Sequence, residues 1–153
     1  MPHKNQPLII IVFGLIFFMI DRILKYLFFH QVIKDSFFLT NAKNDGIAFG
    51  INFSESFLII FYFIIALIIL ALIIWFIKLW TGGKHLAASL TLLVILGAGS
   101  NIIDRIKFGF VIDYINLHIW PVFNLADMMI VGGILIIIYI DVVKNSFSCG
   151  YRP

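Results

Sequence analysis

Residues 57–77 run without a single charged side chain, and their length matches the ~20 apolar residues that carry an α-helix across the hydrocarbon of a bilayer. Inside lipid the backbone must satisfy its own hydrogen bonds, so such a segment is a helix and the chain is built around a membrane. Three further stretches have the same character. Residues 8–20 are continuously apolar but short, and they reach spanning length only by running on through Asp21, Arg22 and Lys25 to about Phe29. Residues 86–103 are long enough although they carry Ser89, Thr91, Ser100 and Asn101. Residues 128–140 are short again, and extending them towards Val122 brings in Asn124 and Asp127. Composition agrees: 62% of the chain is hydrophobic, only 12% is charged, and mean hydropathy is +1.08. The first stretch is not a cleaved signal peptide, because Asp21-Arg-Ile-Leu-Lys25 follows where a small-residue cleavage site would stand.

Four spans alternate in direction, so the ends of spans one and three share a membrane face with the starts of spans two and four. The polar residues of span one (Asp21, Arg22, Lys25) and span three (Ser100, Asn101, Asp104, Arg105) are at their C-terminal ends. Those of span four (Asn124, Asp127) are at its N-terminal end. All of this polarity converges on one face. The loops there are also unusual. Residues 31–56 hold apolar stretches such as Ser36-Phe-Phe-Leu-Thr40 around a turn-forming segment, 41–46. Residues 108–123 read as strand, with Val111, Asp113 and Ile115 on one side of a period-two pattern. A small sheet lying on the membrane over the polar cluster is expected. The opposite connection, 78–85, is a brief turn through Gly82 and Gly83.

With the N-terminus inside, five basic residues (Lys4, Lys78, Lys84, Lys144, Arg152) are cytoplasmic and six (Arg22, Lys25, Lys34, Lys43, Arg105, Lys107) are not. Setting aside Arg22, Lys25 and Arg105 as held by function leaves five against three, so the expectation is cytoplasmic termini and an extracytoplasmic active face. Without a linker or a shift of composition, residues 1–153 are expected to form one integral-membrane domain. Cys149 is the only cysteine, which excludes an internal disulfide, and it falls in a polar tail, 144–153. His3, His30, His85 and His118 lack metal-ligand spacing, so no metal is expected, and no cofactor is implied. The net charge of +3 is dispersed, which gives no support to nucleic acid binding.

An ionisable side chain at membrane depth marks a functional site by default. Asp113 and Asp127 are flanked by residues that favour lipid. Two carboxylates brought together cannot both ionise; they hold one proton and titrate as a unit, the arrangement by which aspartic proteases activate water. Asp127 in the first turn of its helix is favoured there by the positive end of the dipole, which would help to keep it ionised. Lys25, Arg105, Asn101 and Asn124 would set the charge balance and orient a substrate backbone. Plainer roles stand beside these. Asp21 and Lys25, at i,i+4, also make a snorkelling interfacial pair, Asp104 beside Arg105 is an acid needing a cation at a helix C-terminus, and Asn124 is a ready N-cap. Gly97, Asn101 and Arg105 form an i,i+4 stripe whose glycine admits a neighbouring helix. Trp75, Trp80 and Trp120 belong to interfacial belts.

Five segments carry a family resemblance. Asp21-Arg-Ile-Leu-Lys25, Asn44-Asp-Gly-Ile-Ala-Phe49, Gly97-Ala-Gly-Ser-Asn-Ile-Ile-Asp-Arg105, Gly109-Phe-Val-Ile-Asp113 and Phe123-Asn-Leu-Ala-Asp127 resemble, in order, motifs of the lipoprotein signal peptidases, the bacterial type II signal peptidases. The resemblance implies four transmembrane helices with a small extracytoplasmic β-cradle in the bacterial cytoplasmic membrane. It implies an aspartyl endopeptidase that removes signal peptides from diacylglyceryl-modified prolipoproteins, cutting just before the lipidated cysteine. Asp113 and Asp127 would be the dyad. Asp21, Lys25, Asn44, Gly46, Asn101, Asp104, Arg105, Asn124 and Ala126 would support the substrate or the site. Membrane lipids, a monomeric state and inhibition by the cyclic peptide globomycin come with the same resemblance. Arg22, Leu24, Leu96 and Met128 depart from the family pattern, standing where glutamine, a small hydroxyl residue, glycine and serine are common. A proton-coupled transporter is the alternative, since intramembrane carboxylates also relay protons. Against it, polarity gathers at one face and the halves lack inverted-repeat symmetry. A serine–lysine protease using Ser100 and Lys25 would leave both aspartates unexplained.

Overall fold

The computed structural model describes residues 5–44 and 55–149. In chain order the elements are α1 (Gln6–Phe29), β1 (Leu39–Asn44), α2 (Glu55–Thr81), α3 (His85–Phe108), β2 (Val111–Ile115) and α4 (Leu125–Cys149). Among the described residues four helices are long and apolar enough to cross a membrane, and β1 and β2 form a two-stranded antiparallel sheet. The expected architecture of four spans and a small sheet is therefore present.

The span limits follow the physics of their ends. Helix α1 runs on through Asp21 and Lys25 to Phe29, since both charges are buried and paired and need no water. Helix α3 continues past residue 103 to Phe108 and stops at Gly109, whose φ of 83° is left-handed and whose N–H bonds to the Arg105 carbonyl. A glycine takes that conformation without a Cβ penalty, and it turns the chain straight into β2. Helix α4 starts at Leu125, earlier than its apolar run, and extends through the residues read as a polar tail to Cys149. Only Gly82, Gly83 and Lys84 separate α2 from α3, as the short apolar-free turn requires.

One expectation for the sheet is corrected. Residues 41–44 are strand and not turn: Ala42 pairs with Asp113, Lys43 with Ile112 and Asn44 with Val111. Asn41 is held from outside the ladder, its N–H donating to Asp35 Oδ1 at 3.0 Å and its Nδ2 to the Phe28 carbonyl at 2.9 Å. A register shift between Leu39 and Ala42 marks a bulge that bends β1 there. Strand β2 falls within the segment expected to be strand and is covered on both faces. Val111, Ile112, Asp113 and Tyr114 are all buried, because Ile112 and Tyr114 join Phe28 in a small core under the sheet while Asp113 looks the other way.

The helices pack closest between α3 and α4. A Cβ on Gly97 would stand 2.5 Å from the Ala126 carbonyl oxygen and 3.1 Å from Met129 Cβ, and one on Gly133 would stand 2.7 Å from Val94 Cγ2. Small residues at these points let the backbones approach, which is how helices associate in lipid. Gly97→Ala should force α4 away at the turn carrying Asp127, lowering stability in detergent by about 1–3 kcal/mol and reducing activity. Gly99, where a Cβ meets nothing within 4 Å, should accept alanine. Thermal unfolding of the two variants side by side checks this, and equal melting temperatures would contradict it.

Candidate active site

The polar residues of α1, α3, β2 and α4 meet at one end of the bundle, as span direction required. At the centre is Lys25, fully buried. Its Nζ donates to Asn101 Oδ1 at 2.7 Å and lies 2.9 Å from Asp104 Oδ2 and 3.2 Å from Asp21 Oδ2, so the three hydrogens have three acceptors. Asp104 has its cationic partners from α1 and not from its neighbour Arg105: Arg22 Nη1 bonds to Asp104 Oδ1 at 2.6 Å. The same Nη1 donates to the Ser100 carbonyl and hydroxyl at 3.1 and 3.2 Å. Two acids and two bases, all buried but the half-buried Arg22, thus form a cluster without net formal charge, the condition under which burying ions is tolerable. Asp21–Lys25 is accordingly more than an interfacial snorkelling pair. Arg105 instead lies over the Phe61 ring, 5.9 Å from its centroid, at an apolar cavity of about 250 Å³ between α2 and α3.

Asp113 and Asp127 are joined through Asn124. Asn124 Nδ2 donates to Asp113 Oδ1 at 2.6 Å, and its backbone N–H donates to Asp127 Oδ2 at 3.1 Å. The Asn124 side-chain oxygen in turn accepts the Asp127 N–H at 2.9 Å, a reciprocal capping box at the start of α4. Asn124 therefore caps the helix and also bridges the acids. The outer oxygens are bound from either side: Asn44 Nδ2 donates to Asp113 Oδ2 at 2.9 Å, and Asn101 Nδ2 donates to Asp127 Oδ1 at 2.7 Å. Since Asn101 Oδ1 accepts from Lys25, the amide connects the neutral cluster to Asp127. An antiparallel bridge between Ile115 and Phe123 fixes the strand carrying Asp113 against the start of α4.

Burial pushes the Asp113 carboxyl up to about 6 from an ordinary 3.8. The Asn44 hydrogen bond opposes that rise, the Asp127 charge adds to it, and Asn124 and Lys25 oppose it again. Asp127 opens onto an apolar groove of about 440 Å³ that follows α4 past Met128, Val131 and Leu135, with Leu117 and Trp120 beside it. Among the described residues no three His, Cys, Asp or Glu side chains converge to hold a metal ion.

Of the supporting residues expected from the sequence, Asp21, Lys25, Asn44, Asn101, Asp104, Asn124 and Ala126 surround the two acids, Ala126 through its N–H to Asp21 Oδ1 at 3.2 Å. Gly46 lies outside the described residues, and Arg105 faces α2. Arg22, Ser100 and Tyr114 are the additions. Arg22 shares the helix face of Lys25 at i,i+3, a spacing that does reveal it. Tyr114 gave no such signal, because alternation sends it to the strand face opposite Asp113.

The sequence model described as signal peptidase (SPase) II matches residues 13–143. The chain belongs to the signal peptidase II family. A lipoprotein signal peptidase of Halothermothrix orenii is 39% identical over 135 residues, covering 82% of this chain and 90% of that one. One of Clostridium tetani is 36% identical, covering 88% and 92%. A bacterial membrane enzyme solved by the in meso method at 2.3 Å resolution superposes with a TM-score of 0.70 at 30% identity, over 99% of this chain and 95% of that chain. A second such structure, at 1.9 Å, gives 0.67 at 32% identity. Membership carries the activity of a signal peptidase II, an aspartic protease acting on prolipoproteins, and leaves the transporter alternative without support.

The neutral cluster predicts its own fragility. Lys25→Met removes the cation between Asp21 and Asp104 and should destabilise the enzyme by about 3–5 kcal/mol, the usual consequence of leaving buried charge unpaired. Thermal unfolding in detergent reads this out, and a melting temperature equal to wild type would be incompatible with the pairing.

Proposed function

We propose that Asp113 and Asp127 are the catalytic dyad by which this signal peptidase II cuts diacylglyceryl-modified prolipoproteins before the lipidated cysteine. The observation that carries the assignment is the sharing of Asn124 by both carboxyl groups. Asp127 is the general base of the pair. It sits in the first turn of α4, where the helix dipole favours negative charge, and accepts from Asn101 and the Asn124 N–H. Asp113 holds the proton, since burial raises it. A water between them gives its proton to Asp127 as its oxygen attacks the scissile carbonyl, and Asp113 protonates the carbonyl oxygen. Collapse of the tetrahedral intermediate returns a proton to the leaving amine.

Asn44 supports a substrate role, because its buried Oδ1 has no partner among the described residues and is an acceptor for a substrate N–H. Gly46, Asn101, Asn124 and Ala126 belong to the same support, and Arg105 to the approach of the substrate. The apolar groove reaching Asp127 suits a substrate presented from the bilayer. The termini are cytoplasmic, the dyad is at the extracytoplasmic face of the bacterial inner membrane, and the whole chain acts as one monomeric domain in contact with lipid. A globomycin-type cyclic peptide would occupy the groove and block cleavage.

Cleavage of a lipidated prolipoprotein in detergent tests the assignment. Asp113→Asn and Asp127→Asn should each lose about 10³-fold or more in rate, whereas Ser100→Ala, which breaks one support to Asp21, should still cut at a reduced rate. Robust cleavage by either asparagine variant would sink the dyad. The pH dependence has a definite sign. Asp113 acts as acid while protonated, so kcat/KM should fall as pH rises through about 6. A profile that climbs steadily through that range would reverse the roles given to the two acids.

A further inference from the structure

The Tyr114 hydroxyl is buried, and the cleavage mechanism above makes no use of it. It donates to Asp21 Oδ1 at 2.8 Å and accepts the Leu125 N–H at 3.1 Å. Burial and the Asp21 charge push this phenol well above its ordinary value, so it remains a donor at every working pH. Asp21 Oδ1 also accepts the Ala126 N–H, and its Oδ2 accepts from the Ser100 hydroxyl at 2.5 Å.

The first three amides of α4 are therefore held by three different parts of the chain: Leu125 by Tyr114, Ala126 by Asp21 and Asp127 by Asn124. A helix start needs such acceptors, and here two of them are tertiary. Tyr114 is covalently next to Asp113 and hydrogen-bonded to the residue two before Asp127. Its ring lies parallel to Phe28, with centroids 5.4 Å apart and planes at 6°, so the hydroxyl has a fixed position.

We propose that Tyr114 is a positioning residue for the dyad: held between Asp21 and the first amide of α4, its hydroxyl sets how far Asp127 stands from Asp113. This rests on the dyad assignment. Without the hydroxyl, the part-buried Leu125 N–H loses its acceptor and the first turn of α4 is tethered only through Ala126 and Asn124. Among the described residues the charged groups facing the pair are Lys25 and Asp21 from α1, with Arg22 beside them, and Asp104 from α3. From β1 the neighbouring cation is Lys43, which lies over the Phe110 ring. The change of tyrosine to phenylalanine leaves all of these charges in place and takes one hydrogen bond from Asp21, whose Oδ1 keeps the Ala126 N–H.

The test is the pH dependence of kcat for wild type, Tyr114→Phe and Thr91→Val on a lipidated prolipoprotein, with thermal unfolding of each. Phenylalanine keeps the ring and its stacking, so Tyr114→Phe folds. Its kcat should fall about 10- to 100-fold with KM unchanged, and its bell-shaped profile should narrow as the two apparent pKa values of a more widely spaced pair approach each other. Thr91→Val removes a buried hydroxyl that bonds only within α3, to the Ala87 carbonyl, and should leave kcat and the profile as in wild type. A wild-type kcat and profile in Tyr114→Phe would overturn the proposal. So would a lower melting temperature or a lower kcat without narrowing, or equal narrowing in Thr91→Val. Failure of the dyad assignment reads differently, as wild-type enzyme whose cleavage survives Asp113→Asn.

Discussion

An ammonium group surrounded by protein and lipid has to find as many acceptors as it has hydrogens, because water is not there to supply them. Lys25 meets that condition with Asn101, Asp104 and Asp21, and the rest of the site is arranged around the solution. Each acceptor brings a helix with it. Asp21 reaches the start of α4, Asp104 fixes the end of α3 against α1 and accepts weakly from the Ile112 N–H at 3.4 Å, and Asn101 turns its amide to Asp127. Three helices and a strand are therefore registered by one buried cation. Such a pairing contributes little net stability over an apolar core, but it admits few other arrangements of the helices.

The second consequence concerns the start of α4. Its free amides point into the region where the polar groups gather, and each bond that satisfies one also sets the angle at which Asp127 is presented. Cap and site are one object here. Asn124 makes this plain: its side-chain oxygen closes the helix, while its side-chain nitrogen holds Asp113. Glycine at position 97 serves the same end from α3, since the carbonyl of Ala126 occupies the space a Cβ would take.

Where charge and direction were enough, the sequence was readable. Asp21, Lys25, Asn101, Asp104, Asn124 and Asp127 could be brought to one face by counting spans, because a buried charge in a lipid-facing chain has few places to go. Partner choice was not readable. Asp104 beside Arg105 looks like a pair in one dimension, yet one helical step of about 100° between neighbours sends them apart, and the cation comes from Arg22 across the bundle. Residues 41–44 looked like turn because Asn is common in turns, but a tertiary bond from Asn41 to the Phe28 carbonyl overrides that preference. Tyr114 was hidden by the alternation that exposed Asp113, since a strand covered on both faces has no outward side to mark.

The neutrality of the four-residue cluster also bears on chemistry. Asp21, Arg22, Lys25 and Asp104 cancel among themselves, so the cluster adds no net formal charge beside Asp113 and Asp127. In a medium of low dielectric, a neighbouring net charge of either sign would bias both acids together, towards two protons or none. A balanced neighbour leaves local terms to set Asp113 instead: burial and the Asp127 charge raise its carboxyl, and the Asn44 amide opposes the rise. One proton shared unequally is what general acid and general base in a single step require. Arg22 completes that balance by matching Asp104 from the face of α1 that also carries Lys25, so the neutrality beside the two acids depends on a pairing across the bundle.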